Sequence, residues 1–278
     1  MRTRFAPSPT GPLHLGHAYS AILAHDMARA AGGVFLLRME NTDLERCTGE
    51  WEDLILEDLT WLGLSWEEDV LRQSGRIADY NARLETLAAR GLIYPCSCTR
   101  GDIRAALAAP QEGVPHNVYP GTCRGRPMTD RQAGDALRLD LGKALDLLSD
   151  RPLTFVETGQ GHAGRHRVDA EIARQMIGDV VLSRKGEDIV AYFLASAFDD
   201  ADQAITHVIR GEDLFEFTPI QVILQHLFNL PTPVYHHHRL IRDGDGKRLA
   251  KRDDARAIRK FRAEGATPDD IRRMVDLG

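Results

Sequence analysis

The sequence predicts an α/β fold: a Rossmann-like, doubly wound parallel sheet with an inserted subdomain and a small helical C-terminal part. Three observations carry that prediction. Apolar runs of strand length alternate with helical patterns through the first 94 residues, which is the signature of parallel strands joined by crossover helices. From 95 to 164 the alternation stops in a stretch holding six prolines and three of the four cysteines. After a further set of apolar runs, the last forty residues carry a basic loop and two short helical patterns. The segments expected are therefore 1–94 and 165–216 for the two halves of the sheet domain, 95–164 for the insert, and 217–278 for the C-terminal part.

Each element has its local reason. Thr3–Ala6 reads as a short buried strand and Leu15–Ala31 as an alanine-rich helix, stopped by Gly32-Gly33 before a second strand, Val34–Met39. Gly49–Leu62 places Trp51, Leu54, Ile55, Leu59 and Leu62 on one helical face. Arg76–Arg90 is a further helix ended by Gly91, after which Leu92–Tyr94 reads as a third strand. Beyond the insert, Ile177–Leu182 and Ile189–Ala197 read as strands, and Ala204–Ile209 is a third apolar run. Thr218–Phe228 is a helix with Pro219 suitably placed in its first turn.

The chain has 278 residues and 43% hydrophobic content, enough for one large domain or two modest ones. No apolar run approaches the roughly 20 residues of a membrane span, and the N-terminus lacks a signal-peptide pattern. A soluble, cytoplasmic protein is expected, working as a monomer without a membrane partner. The net charge of −6 argues against wholesale coating by nucleic acid but hides an asymmetry. Residues 40–69 hold eleven acids against Arg46 alone, while residues 239–264 hold ten Lys or Arg against five acids. The basic stretch is a candidate phosphate-facing surface.

The run from Phe5 to His17, FAPSPTGPLHLGH, carries the most chemistry. It joins a strand to a helix through a turn punctuated by proline and glycine. Such a turn directs free N–H groups and the positive end of a helix dipole at one place, which suits a phosphate. Gly16 lets a nucleobase or ribose approach the backbone. His14 and His17 supply donors for charge that builds on phosphoryl oxygens. Far downstream, Lys247 to Arg252 follow a DGDG turn, and a lysine-bearing loop beside glycines is what a triphosphate-handling site requires.

Cys96 and Cys98 form a C-x-C pair, with Cys123 after a further 24 residues. Three thiols in a segment without a helical core suggest a structural zinc site closed by one more ligand. On chemistry alone His116 is the natural fourth ligand. Cys47 stands apart in the acidic segment as an ordinary thiol. Arg4 and Glu40, without further information, read as a salt bridge at the sheet edge, and Tyr192 as a core aromatic.

Taken together, HxGH preceded by PSPTG resembles the HIGH motif of class I aminoacyl-tRNA synthetases of the glutamyl type. The five residues Arg248 to Arg252 are similar to the KMSKS loop, often KLSKR in that family, with Ala250 in place of the serine and Lys251 present. YFLASAFDD and THVIRGEDL are similar to glutamyl-tRNA synthetase segments as well. The resemblance implies ATP, bound with magnesium, against His14, Gly16, His17 and Lys251, with His14, His17 and Lys251 catalytic. It implies a glutamate pocket of Arg4, Phe5, Ala6, Pro7, Ser8, Glu40, Tyr192 and Arg210. There Glu40 would hold the ammonium and Arg210 the side-chain carboxylate, with Arg4 assisting. It also implies a zinc held by Cys96, Cys98, Tyr119 and Cys123, since the family follows C-x-C with a tyrosine, three residues and a cysteine.

The chain stops about twenty-five residues after the KMSKS-like loop, so the anticodon-reading domain of full glutamyl enzymes is expected to be missing. A catalytic core with a zinc insert and no such domain resembles the glutamyl-Q tRNA(Asp) synthetase family. That likeness implies transfer of activated L-glutamate to queuosine in the anticodon loop of tRNA(Asp). The alternatives are a truncated glutamyl-tRNA synthetase charging the 3′ end of tRNA(Glu), an HxGH nucleotidyltransferase, and a zinc-dependent RNA-binding module.

Overall fold

The computed structural model describes residues 1–107, 118–184, 190–241 and 257–277, and for 104–107 the backbone alone. In chain order the elements are β1 (Arg2–Phe5), α1 (Leu15–Ala30), β2 (Val34–Met39), α2 (Gly49–Trp61), β3 (Leu71–Arg72), α3 (Ile77–Ala89), β4 (Ile93–Cys96) and α4 (Arg100–Leu107). They continue with β5 (Ala136–Leu139), α5 (Leu141–Leu147), β6 (Thr154–Glu157), β7 (Gly164–Arg167), α6 (Ala170–Met176), β8 (Val181–Ser183) and α7 (Tyr192–Asp202). Last come β9 (His207–Gly211), α8 (Thr218–Leu227), β10 (Val234–His238), α9 (Ile258–Ala263) and α10 (Pro268–Met274).

The parallel sheet is built in two pieces. β1 and β2 pair in parallel from Arg2 opposite Val34 to Phe5 opposite Leu37, with β3 on the far side of β2. β9, β10 and β6 are likewise parallel, and β7 closes that piece as an antiparallel hairpin partner of β6. Thr206 N–H donates to the Arg2 carbonyl at 2.9 Å, and Arg2 N–H to the Thr206 hydroxyl at 2.8 Å, so the entry to β9 is tied to β1. β6, from the stretch read as an insert, and β7, which begins at that stretch's last residue, thereby join the sheet.

Three expectations need correction. Leu92–Tyr94 does form a strand, but β4 pairs antiparallel with β5, which pairs with β8, in a separate sheet. The neighbour of β2 is instead the two-residue β3. Ile177–Leu182 is strand only from Val181, because Asp169 caps a helix and Gly178, at φ +65°, ends it. Ile189 lies outside the described residues, and the rest of Ile189–Ala197 is not a strand: α7 begins at Tyr192, and every residue from Leu194 to Asp200 is buried. A helix buried all round shows no polar face, and its apolar run is indistinguishable from a buried strand by periodicity.

The core has two parts. One packs α1 and α2 against β1 and β2 through Ala21, Ile22, Phe35, Leu37, Ile55 and Leu59, with Ile258 and Ile271 of the C-terminal helices joining it. The other gathers α3, α5, α7 and α8 around Leu84, Leu139, Phe198 and Ile223. Among the described residues no helix is long and apolar enough to cross a membrane.

Candidate active site and metal centre

His14 is the N-cap of α1 and sits in extended backbone. Its Nδ1 accepts the Gly16 N–H at 3.1 Å, while the His14 N–H donates to His17 Nδ1 at 3.2 Å. The two rings stack with centroids 3.8 Å apart. With each Nδ1 lone pair engaged, the neutral rings carry their proton at Nε2, the donor that a phosphoryl oxygen requires. Gly16 leaves room for this arrangement. A Cβ there would lie 3.0 Å from His14 Cε1 and 3.2 Å from its Nδ1. Leu13 O accepts from Ile258 N–H at 2.8 Å, so α9 is anchored to the turn. Lys251, with the rest of the KMSKS-like loop, lies outside the described residues.

The arm Phe5–Ser8 runs from β1 to that turn, and Pro7 O accepts the Glu40 N–H at 3.0 Å, joining the arm to the end of β2. Glu40 is half-buried, and its Oε1 has no hydrogen-bond partner. Burial pushes the Glu40 carboxyl up to about 7, although Arg38 and Arg4 pull the other way. An acid desolvated but not hydrogen-bonded suits a cation brought by a ligand.

Arg4 does not pair with Glu40 directly. Its Nε donates to Asp200 Oδ1 at 2.8 Å and its Nη2 to Asp200 Oδ2 at 3.3 Å, both groups buried. Asp200 Oδ1 also accepts from Arg38 Nη2 at 2.8 Å, so one carboxylate of α7 serves two arginines of β1 and β2. Despite burial, those two arginines hold the Asp200 carboxyl below its usual range. Asp199 beside it accepts from Gln73 Nε2 at 2.8 Å and from the Tyr80 hydroxyl at 2.9 Å. This buried ionic network, to which no local sequence signal points, acts on the Glu40 carboxyl through the charges of Arg38, Arg4, Asp200 and Asp199.

Arg210 is buried on β9, over the ring of Tyr235. Its Nη1 donates to the Tyr192 hydroxyl at 3.2 Å and to Gln221 Oε1, and its Nη2 to Thr218 Oγ1 at 2.8 Å and Leu214 O at 3.4 Å. Its Nε donates to His237 Nε2 at 2.8 Å. Every acceptor is neutral, and among the described residues no carboxylate lies within ion-pair distance of this guanidinium. A buried cation with neutral neighbours suits an anionic ligand. Tyr192 and Arg210, grouped above only by resemblance, are in hydrogen-bond contact.

In the insert, the sulfurs of Cys96, Cys98 and Cys123 all lie within 4.8 Å of one another. The Tyr119 hydroxyl is 3.4 Å from Cys96 Sγ and 3.5 Å from Cys98 Sγ, and Cys98 and Cys123 are 3.5 Å apart. Tetrahedral ligands about 2.3 Å from a zinc ion stand roughly 3.8 Å from each other, so the donor set is compatible with zinc. Burial works against ionising Cys123, yet the Tyr119 hydroxyl and the Ser97 N–H hold its thiol down to about 6. Arg138 lies 3.7 Å over the Tyr119 ring and donates to Cys96 Sγ at 3.3 Å, bringing positive charge to the cluster. His116 lies outside the described residues.

The family model for the class I tRNA synthetase (E and Q) catalytic domain matches residues 1–277. The glutamyl-Q tRNA(Asp) synthetase of Rhodobacter capsulatus is 56% identical over 284 aligned residues, which span 100% of both chains. That of Thiobacillus denitrificans is 42% identical, over 92% of this chain and 79% of its own. A crystal structure of a glutamate tRNA ligase from Elizabethkingia meningosepticum in complex with its amino acid superposes with a TM-score of 0.70 at 28% identity. That match covers 92% of this chain and 52% of the other, so the chain spans about half the length of that solved relative. The methionyl-tRNA synthetase of Mycobacterium tuberculosis, at 12% identity and a TM-score of 0.61, shares the fold. The chain belongs to the class I tRNA synthetase (E and Q) catalytic-domain family, among relatives that are glutamyl-Q tRNA(Asp) synthetases.

Proposed function

We propose that the protein activates L-glutamate with ATP as glutamyl-adenylate and transfers the glutamate to queuosine at the wobble position of tRNA(Asp). The observation that carries this reading is end-to-end similarity, 56% over the whole of both chains, to a glutamyl-Q tRNA(Asp) synthetase. The site supports it. Glu40 offers a desolvated carboxylate for the α-ammonium, and Arg210 a buried cation among neutral acceptors for the side-chain carboxylate. Arg4 acts from beneath, through Asp200, rather than as a second fork.

In the first step a glutamate α-carboxylate oxygen attacks the α-phosphorus of magnesium-bound ATP, and pyrophosphate leaves. His14 and His17 donate to phosphate oxygens as charge develops there, with Lys251 completing the cradle. In the second step a hydroxyl of the queuosine ring attacks the activated carbonyl and AMP leaves. Cys96, Cys98, Tyr119 and Cys123 would hold a structural zinc that fixes the insert. The four cysteines, none in a disulfide, fit a reducing cytoplasm.

The test is to charge total tRNA with labelled glutamate and locate the label by nuclease mapping. Label on the wobble nucleotide of tRNA(Asp) is the expected result. Label on a 3′-terminal adenosine would overturn this reading in favour of tRNA(Glu) charging.

A further inference from the structure

His237 and Arg210 are register partners on the parallel strands β10 and β9, and β6 pairs with β10 on its other side through Glu157 opposite Tyr235. Three side chains on three adjacent strands form one chain of hydrogen bonds. Glu157 Oε2 lies 2.5 Å from His237 Nδ1, and Arg210 Nε donates to His237 Nε2 at 2.8 Å. Glu157 Oε1 takes two backbone donors, Gly159 N–H at 2.6 Å and His237 N–H at 2.9 Å. Glu157 and His237 are 2% and 3% exposed, so these bonds are shielded from bulk solvent.

The chain has a direction. A carboxylate accepts only, so His237 must carry its proton at Nδ1 and turn the Nε2 lone pair toward Arg210. The opposite tautomer would set N–H against N–H. Glu157 thus fixes the tautomer, and the tautomer fixes the Nε edge of the guanidinium. The imidazole also keeps the carboxylate one residue away from Arg210. A direct ion pair would neutralise the cation and compete with an anionic substrate; a neutral acceptor orients it and leaves its charge for the ligand. The contacts that a substrate carboxylate would displace are then the two longest, Tyr192 at 3.2 Å and Leu214 at 3.4 Å.

We propose that Glu157 and His237 are positioning residues that hold the Arg210 guanidinium toward the substrate's side-chain carboxylate and so set the preference for glutamate over glutamine. This rests on the reading of Arg210 as the group that meets that carboxylate. It also gives β6, from the stretch read as an insert, a part in amino-acid selection.

The experiment is glutamate-dependent ATP–pyrophosphate exchange, with KM and kcat measured separately for glutamate, glutamine and ATP. For Glu157→Gln, one amide oxygen cannot serve three donors. Its KM for glutamate is expected to rise about 10- to 100-fold, the worth of a hydrogen bond to a charged group. The KM for ATP stays as in the parent, and the glutamate-to-glutamine ratio of kcat/KM falls by a similar factor. His237→Ala should match it, and His237→Gln, whose Oε1 can accept from Arg210 Nε, should recover much of the loss. If both Glu157→Gln and His237→Gln keep the parent's KM and ratio while only lowering Tm, the proposal fails. Arg210→Gln separates the two readings: should it too leave the KM for glutamate unchanged, the assignment of Arg210 itself is wrong.

Discussion

His14 and His17 stack face to face, each Nδ1 accepting a backbone N–H from the first turn of α1 and its cap. The pair is a preorganised unit whose geometry depends on Gly16. A methyl there lies 3.0 Å from the edge of the His14 ring, so Gly16→Ala pushes the imidazole aside. Alanine favours a helix over glycine by about 1 kcal/mol, so Tm should hold or rise. The glutamate-activation rate should nonetheless fall by about tenfold, because a shift of a few tenths of an ångström is smaller than the 1 Å misplacement that can cost about 100-fold. Exchange kinetics beside a melting curve check this; a variant as active as the parent would remove the phosphate-positioning role from the pair.

Glu40 sets a pH dependence. Burial first, opposed by Arg38 and Arg4, places its carboxyl at about 7, against an ordinary 4.5. Below 7 it is protonated and neutral and does not attract an ammonium. The KM for glutamate should therefore fall as pH rises from 6 to 8, by up to tenfold per unit below 7, and then level off. Between 4.5 and 7 the folded chain binds more protons here than the unfolded one, so this group's contribution to stability declines as pH rises across that window. Saturating glutamate should reverse that decline. Glu40→Gln should raise the KM and flatten its profile; a profile in the variant as steep as the parent's would assign the titration to another group.

Asp200 carries two buried arginines, which makes its removal worse than removal of either partner. Asp200→Asn leaves Arg4 without its carboxylate and Arg38 with only its longer pair to Asp199 at 3.8 Å, and should cost about 3–5 kcal/mol in urea unfolding. Arg4→Met should cost less, because Asp200 keeps Arg38. Equal losses would mean that the Arg38–Asp200 pair contributes nothing once the Arg4 pair is gone.

Local signals were legible, and long-range pairing was not. His14, Gly16 and His17 lie within four residues, so their turn could be read from spacing alone. Tyr192 and Arg210 were singled out by resemblance, and the structure places them in contact. Asp199 and Asp200 stood in the quoted run YFLASAFDD, yet nothing local links them to Arg38, more than 160 residues away. His237 sits in an HHH run on a half-apolar strand, a pattern that equally fits a solvated edge; only the pairing of β6, β10 and β9 shows what it faces. Strand direction was similarly hidden, because Leu92–Tyr94 is as apolar as a central parallel strand although it pairs antiparallel.

The metal centre yields the last prediction. If four ligands close one tetrahedral site, purified protein should contain one zinc per chain, and Cys98→Ser should lose it. Tyr119 is the informative ligand. Burial and its bonds to Cys96 and Cys98 keep its phenol strongly protonated in the metal-free protein, so a cation must displace that proton to bind there. Zinc retention should consequently weaken as pH falls, and Tyr119→Phe should let a chelator strip the ion far faster than from the parent. His116→Ala should retain zinc like the parent if Tyr119 is the fourth ligand. Metal analysis after dialysis against chelator, run on the three variants and the parent, separates the cases: zinc lost from His116→Ala but kept by Tyr119→Phe would move the fourth ligand to the imidazole.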